Sequence, residues 1–236
     1  MSILRYTASL DTTIANAYKE NLSTRATGSN MGMSDTLESF SIYGQTSSSI
    51  DGKSSELSRI LIKFDITGSA GISADRASGK IPASGSVNFY LRLFNAAHSY
   101  TIPENYNMIV SAISGSDWQE GYGLDMETYK DSGVVNWISA STGNAWVNQG
   151  GDYWATVSGS FTASFKEGPE DMELDITQIV EQWVTDGLQN YGLGIMMAPA
   201  EESASRSYYT KMFFARGTEY FFKKPIIEAR WNSAKK

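Results

Sequence analysis

Few residues in this 236-residue chain have much chemical range. There is one histidine, His98, and no cysteine. A hydrolytic Ser–His–Asp arrangement would have to use His98. That residue sits in the polar run 96–107, with no G-x-S-x-G turn anywhere. No H-E-x-x-H pair, phosphate-binding glycine loop or dinucleotide fingerprint occurs. The 26 acidic residues would supply a two-carboxylate glycosidase, but no spacing singles out a pair. The expectation is a non-enzymatic protein. The lack of cysteine excludes thiol catalysis, disulfides and thiolate metal sites. A structural Ca²⁺ is open to carboxylate oxygens, with Asp11 and Asp171 as candidate ligands. Asp175 is a third, although capping of a helix explains it better. No other cofactor is expected.

Aromatic residues offer binding rather than catalysis. Residues 115–154 hold Trp118, Trp137, Trp146 and Trp154, four of the six tryptophans, among Gly, Asn and Ser. Such rings stack on a sugar, anchor a protein contact, or pin long loops to a body. Lys223 and Lys224 are further candidate contacts. The stretch YYTKMFFARGTEYFFKK interleaves rings and bases like a single-stranded nucleic-acid platform. Against that stand strand-like alternation and a net charge of −7, so nucleic acid is not expected as a partner. From Arg206 onward the charge is +6, which leaves −13 on the rest. An acidic body with a basic end points to head-to-tail or partner contacts, or to a solvated strand face with a basic tail.

Around these residues the pattern is mostly β. Arg59–Ile66 alternates, with Ile60, Ile62, Phe64 and Ile66 on one face. Arg59, Leu61, Lys63 and Asp65 fall on the other, whose charged members read as a solvated charge-pairing surface. Val87–Phe94 alternates likewise. Met108–Ile113, Tyr153–Phe165 and Tyr191–Ala198 read as further strands. Tyr208–Ala215 and Glu219–Phe222 read as a hairpin. Ile226–Trp231 reads as a closing edge strand, with Lys223, Lys224 and Pro225 as guards. Thr46–Ser55 reads as a Ser-rich tip. One helix stands out. Ile176, Ile179, Val180, Trp183 and Val184 make an apolar stripe, with Asp175 as cap, Gln178 as reciprocal partner and Gly187 as stop. The fold class expected is all-β. It is a jelly-roll β-sandwich over 1–236 as one domain, with one short helix capping an end and burying Trp183. Arg59, Phe64, Asp175 and Trp183 are its structural residues.

Several short motifs resemble one family. Leu174–Thr177, Val180, Trp183 and Asn190–Leu193 resemble the D-V-T-x-x-V-x-x-W … N-Y-G-L segment of DNRLRE-type β-sandwich domains, which are similar to carbohydrate-binding modules. Arg59–Ile66 resembles that family's R-x-L-L-K-F-D-L strand. Asp11–Ile14, Gly28–Leu37 and Trp118–Gly121 resemble its D-T-x-I, N-x-G-x-S-x-x-L and W-x-E-G motifs. The resemblance implies a jelly roll on surface or matrix proteins. The C-terminal segment is also similar to the ends of structural proteins from tailed marine phages.

No apolar core for a signal peptide follows Met1, and no run approaches the ~18 residues of a membrane span. No membrane is therefore expected as a partner. The function expected is a non-enzymatic structural subunit of a phage virion, such as a decoration, cement, collar or tail-associated protein. It would be made in the host cytoplasm and bind other virion proteins in a symmetric assembly. The alternative is a glycan-binding module, which needs at least two of the four tryptophans exposed and coplanar.

Overall fold

A computed structural model describes residues 1–42, 56–97, 102–125, 134–156, 158–204 and 208–233. The Thr46–Ser55 tip and His98 lie outside the described residues. The strands are β1 (Ser2–Ala15), β2 (Thr36–Ile42), β3 (Glu56–Phe64), β4 (Val87–Leu93), β5 (Tyr106–Ala112), β6 (Ser139–Ser141), β7 (Asn144–Ala145), β8 (Ser160–Phe165), β9 (Met172–Asp175), β10 (Leu193–Met197), β11 (Tyr208–Phe214) and β12 (Ile226–Trp231). Three short helices join them: α1 (Ile72–Ala77), α2 (Thr177–Thr185) and α3 (Pro199–Glu202). The protein is all-β, as the alternation predicts, in a sandwich of jelly-roll kind.

Ten strands form one antiparallel sheet that folds back on itself. Its main path runs β8-β5-β10-β3-β1-β12-β4-β9. β1 is the corner. Ser2–Thr7 pair with β12, and Ala8–Ala15 pair with β3, with a register shift between Ala8 and Leu10. Such an irregularity bends a strand and lets one element serve two layers. β2 joins the start of β3, and β11 pairs along β2. Asn95, just past β4, bridges Phe213 of β11, so the sheet nearly closes. Closure shields strand edges from unwanted pairing.

The layers enclose a core of Ile60, Ile62, Phe64, Phe89, Leu91, Tyr106, Met108, Ile195 and Phe213, all essentially buried. β4 follows its alternation, burying Val87, Phe89, Leu91 and Leu93. Ile179, Val180 and Trp183 of α2 enter the same core. Gly187 ends the helix at φ +71°, a conformation that glycine adopts without strain.

Several expectations need correction. Asp175 ends β9 and does not occupy the cap position; Ile176 does. Its carboxylate accepts the Thr177 N–H at 2.9 Å instead, one residue out of phase with a capping box. Two further short helices occupy connections read as loops: α1 after Gly68, and α3 opening on Pro199, whose fixed φ suits a first turn. Glu219–Phe222 is not a strand, so there is no hairpin; Phe221–Lys223 form a single 3₁₀ turn. β12 is not at an edge but lies between β1 and β4. Pro225 precedes the strand, so no ladder donor is lost, and its carbonyl accepts the Ala8 N–H at 3.0 Å. Lys223 and Lys224 therefore guard no edge; on the main path the free edges belong to β8 and β9.

Candidate functional site

The outer face of β3 is covered, not solvated. Leu61 on that face is fully buried, beneath a second cluster made by Ile14, Ile113, Trp118, Val135, Trp137 and Trp146. Trp118, Trp137 and Trp146 are 3%, 4% and 6% exposed. Two of the three indole N–H groups are bonded within the fold. Trp118 Nε1 donates to Tyr191 O at 2.8 Å, and Trp146 Nε1 to Asn136 O at 3.0 Å. Arg59 lies over the Trp137 ring at 5.2 Å and grips Glu202 of α3 with two bonds, at 3.1 and 2.8 Å. Only Trp154 of the four is more than a third exposed, at 38%. The multi-tryptophan face needed for sugar stacking is not formed. The rings pin the described segments 113–125 and 134–146 to the sheet, because burying an aromatic side chain removes a large apolar surface from water.

Beside this cluster four chain segments meet in a polar knot. Glu120 accepts the Asp11 N–H at 2.7 Å and the Arg216 Nε at 2.8 Å, and its other oxygen pairs with the same guanidinium. Asp11 Oδ2 accepts the Arg216 N–H at 2.6 Å. Buried Asn30 accepts the Gly123 N–H at 2.8 Å and donates to Glu120 O and Val135 O at 3.3 and 3.2 Å. Gly123 must be glycine, because a Cβ there would overlap the Asn30 carbonyl. The D-T-x-I, N-x-G and W-x-E-G segments thus converge here, and what they do is join loops.

No metal role emerges for these acids. Asp11 faces Glu120, Arg216 and Lys224, while exposed Asp171 accepts the Asn95 N–H at 2.8 Å elsewhere. Among the described residues no three His, Asp or Glu side chains gather as a metal site. Burial, reinforced by the Glu120 charge, pushes the Asp11 carboxyl up to about 7 against the opposing pull of the Arg216 N–H. Between its ordinary value of 3.8 and about 7, the folded chain holds a proton that the unfolded chain has released. Stability therefore falls as pH rises through that window. Asp11→Asn keeps an acceptor for Arg216 and removes the charge. The variant is expected to be more stable than the parent at pH 8 by roughly 2 kcal/mol, with the gap closing towards pH 4. Urea titrations at both pH values read it, and a gap independent of pH would refute the assignment.

No protein-family model matches the chain, and no curated protein matches it either. Its chemistry must be read from the site itself.

Two further clusters are internally paired. Lys211 is fully buried in β11, its ammonium donating to Asn95 Oδ1, Gly168 O and Glu170 O at 2.7, 2.6 and 2.6 Å. The Phe165 and Phe213 rings flank it at 4.7 and 5.2 Å, and burial lowers its pKa to about 8. On the outer face of the β4–β12 layer, Glu228 is bonded by Arg5, Arg92 and Arg230 at 2.8, 3.3 and 2.6 Å. Arg230 also pairs with Glu173 and stacks on Tyr90 at 4.2 Å. In both clusters the charged groups are hydrogen-bonded within the fold.

The tip after β11 exposes large apolar side chains. Phe221 and Phe222 are 73% and 81% exposed, edge to face at 5.3 Å, on the 3₁₀ turn. Exposed Tyr220 precedes them. Lys223 lies over Phe94 at 5.2 Å, and Lys224 follows. Both lysines expected as contacts adjoin this tip, together with two phenylalanines that the sequence pattern places in a hairpin.

Proposed function

We propose that this chain is a non-enzymatic structural subunit of a phage virion, attached to a neighbour through the Phe221–Phe222 tip with Lys223 and Lys224 beside it. The observation that carries this reading is the exposure of two adjacent phenylalanines on a turn held by a nearly closed sheet. Aromatic anchors next to cations are what interfaces bury at their centres. The paired Arg–Glu face and the tryptophan cluster support it too, since they spend side chains on rigidity. The likeness of the C-terminal segment to phage structural proteins is what suggests the particle. Position within the particle follows from copy number, to be read by quantitative mass spectrometry of gradient-purified particles. The chain is expected at a fixed, symmetric copy number. Phe221→Ser with Phe222→Ser is expected to reduce incorporation at least about tenfold while leaving the melting temperature unchanged. Absence from particles would discard the reading.

A glycan-binding role has one observation in its favour. Asn88, Tyr90, Arg230, Trp231 and Asn232 line a cleft of about 490 Å³, combining aromatic and amide chemistry. A glycan array with Trp231→Ala as control tests it; no binding to any sugar ends it.

A further inference from the structure

Lys211 and Asn95 meet where the sheet nearly closes. Asn95 bridges Phe213 of β11, the Ala96 N–H donates to Met212 O at 3.0 Å, and the Phe214 N–H donates to Phe94 O at 3.0 Å. These bonds fix both backbones. The Lys211 ammonium donates to Asn95 Oδ1 at 2.7 Å. A C=O bond is about 1.23 Å long, so the amide carbon lies within about 4 Å of that nitrogen. An amine held so near a carboxamide, in a fully buried site, has an intramolecular reaction open to it. We propose that Lys211 and Asn95 join through an amide cross-link, releasing ammonia, with the Glu170 carboxylate carrying the proton. The bond ties the end of β4 to β11 across the gap in the sheet, whatever the chain is attached to.

The step needs no other reactant. The ammonium passes a proton to Glu170 and becomes a free amine. Its lone pair attacks Asn95 Cγ, and the bond from Cγ to Nδ2 breaks. Nδ2 takes the proton from Glu170 and leaves as ammonia. The new amide nitrogen sheds one further proton, which departs with the ammonia as ammonium. One ammonium and one carboxamide thus become one secondary amide and one ammonium ion, with nothing oxidised or reduced.

The surroundings favour each part of it. The Phe165 and Phe213 rings flank the nitrogen, and burial lowers its pKa to about 8, which brings the free amine within reach near neutral pH. Gly168 O and Glu170 O still hold two N–H groups once the third proton has gone, which leaves the lone pair on the Asn95 side. Glu170 Oε1 is fixed by the Lys166 and Glu167 N–H groups at 2.8 and 2.7 Å. Its Oε2 is buried with no partner among the described residues, as is the Tyr106 hydroxyl. The Glu170 charge acts on both Lys211 and Tyr106. Asp171 also acts on Lys211, but it is exposed and accepts the Asn95 N–H. An orphaned carboxylate oxygen is costly, and a proton to carry gives it a use. A lysine kept only to satisfy carbonyls would need neither an amide partner nor an unbonded acid.

Intact-mass spectrometry of the full chain, incubated at about pH 8, reads the reaction. The parent is expected about 17 Da below its sequence mass, the mass of one ammonia. Trypsin is then expected to give a branched peptide joining residues 93–130 to residues 207–216, uncut at Lys211. Lys211→Met is expected at its full mass. Glu170→Gln keeps the size and the acceptor, and is expected to link at least about 100-fold more slowly. Glu170→Asp fits less well but keeps the acid, and is expected to link faster than Glu170→Gln. A purely structural Glu170 would give the opposite order. Circular dichroism matching the parent shows that the variants are folded. The linked parent is expected to melt roughly 10–20 °C above unlinked Glu170→Gln, because a closed loop from 95 to 211 restricts the unfolded chain. Three results overturn the proposal: a parent at its full mass, a mass loss without the branched peptide, or a Glu170→Gln chain that links as fast as the parent or faster than Glu170→Asp.

Discussion

Replacing Lys211 with methionine is expected to destabilise the chain by about 4 kcal/mol, since each orphaned buried acceptor costs about 1–3 kcal/mol. Methionine keeps most of the volume between Phe165 and Phe213, so little of the loss comes from packing. The loss arises from Asn95 Oδ1, Gly168 O and Glu170 O, which all accept from the one ammonium. The full threefold sum is not reached, because the 166–171 turn can open and let water in. Lys223→Met is the control, an exposed side chain whose ammonium lies over the Phe94 ring, and is expected to change stability by less than about 1 kcal/mol. Denaturant midpoints of both variants decide the matter. A Lys211→Met chain as stable as the parent would mean that the three carbonyls find other donors.

Trp137→Ala should cost about 4 kcal/mol, the usual range for a buried large aromatic residue. The ring is buried against Leu61 and its neighbours, and Arg59 rests on it. Its loss opens a cavity and also frees the guanidinium that ties Glu202 to β3. Trp154→Ala removes a ring that is 38% exposed and should cost less than about 1 kcal/mol. For a chain of this size the first change corresponds to a melting point lower by roughly 8–16 °C. Equal effects at the two positions would show that the tryptophans do not divide as the structure places them.

Periodicity carried the sequence reading wherever one element faced one core. β3, β4, α2 and the φ of Gly187 were legible because each repeats on its own pitch. Pairing order is not written in alternation, so β12 read as an edge although it lies between β1 and β4. Leu61 shows the same limit from another side. Alternation places it on one face with Arg59 and Lys63, and side chains distant in sequence, Ile14 together with Ile113, Trp118, Val135, Trp137 and Trp146, bury it. The tryptophans were identified as loop anchors or contacts, and tertiary packing chose the first for three of them. Lys211 gave no sign at all. A lysine in a strand pattern normally points to solvent, and its three carbonyl partners come from other parts of the chain. The exposed tip was hidden by hydrophobicity itself, since strand formers next to a turn look like a hairpin.

The shared corner strand has a consequence for biosynthesis. Its second half can pair with β3 early, once that strand has left the ribosome. Its first half has no partner until β12 appears; Arg5 and its mate Glu228 are 223 residues apart. At about 5–20 residues per second, that half waits roughly 10–45 s as a naked edge. Such distant pairing also makes closure slow. During that interval the nascent chain carries Ile3, Leu4 and Tyr6 uncovered, so this short stretch is where a chaperone would bind and where crowded polysomes would first misassemble.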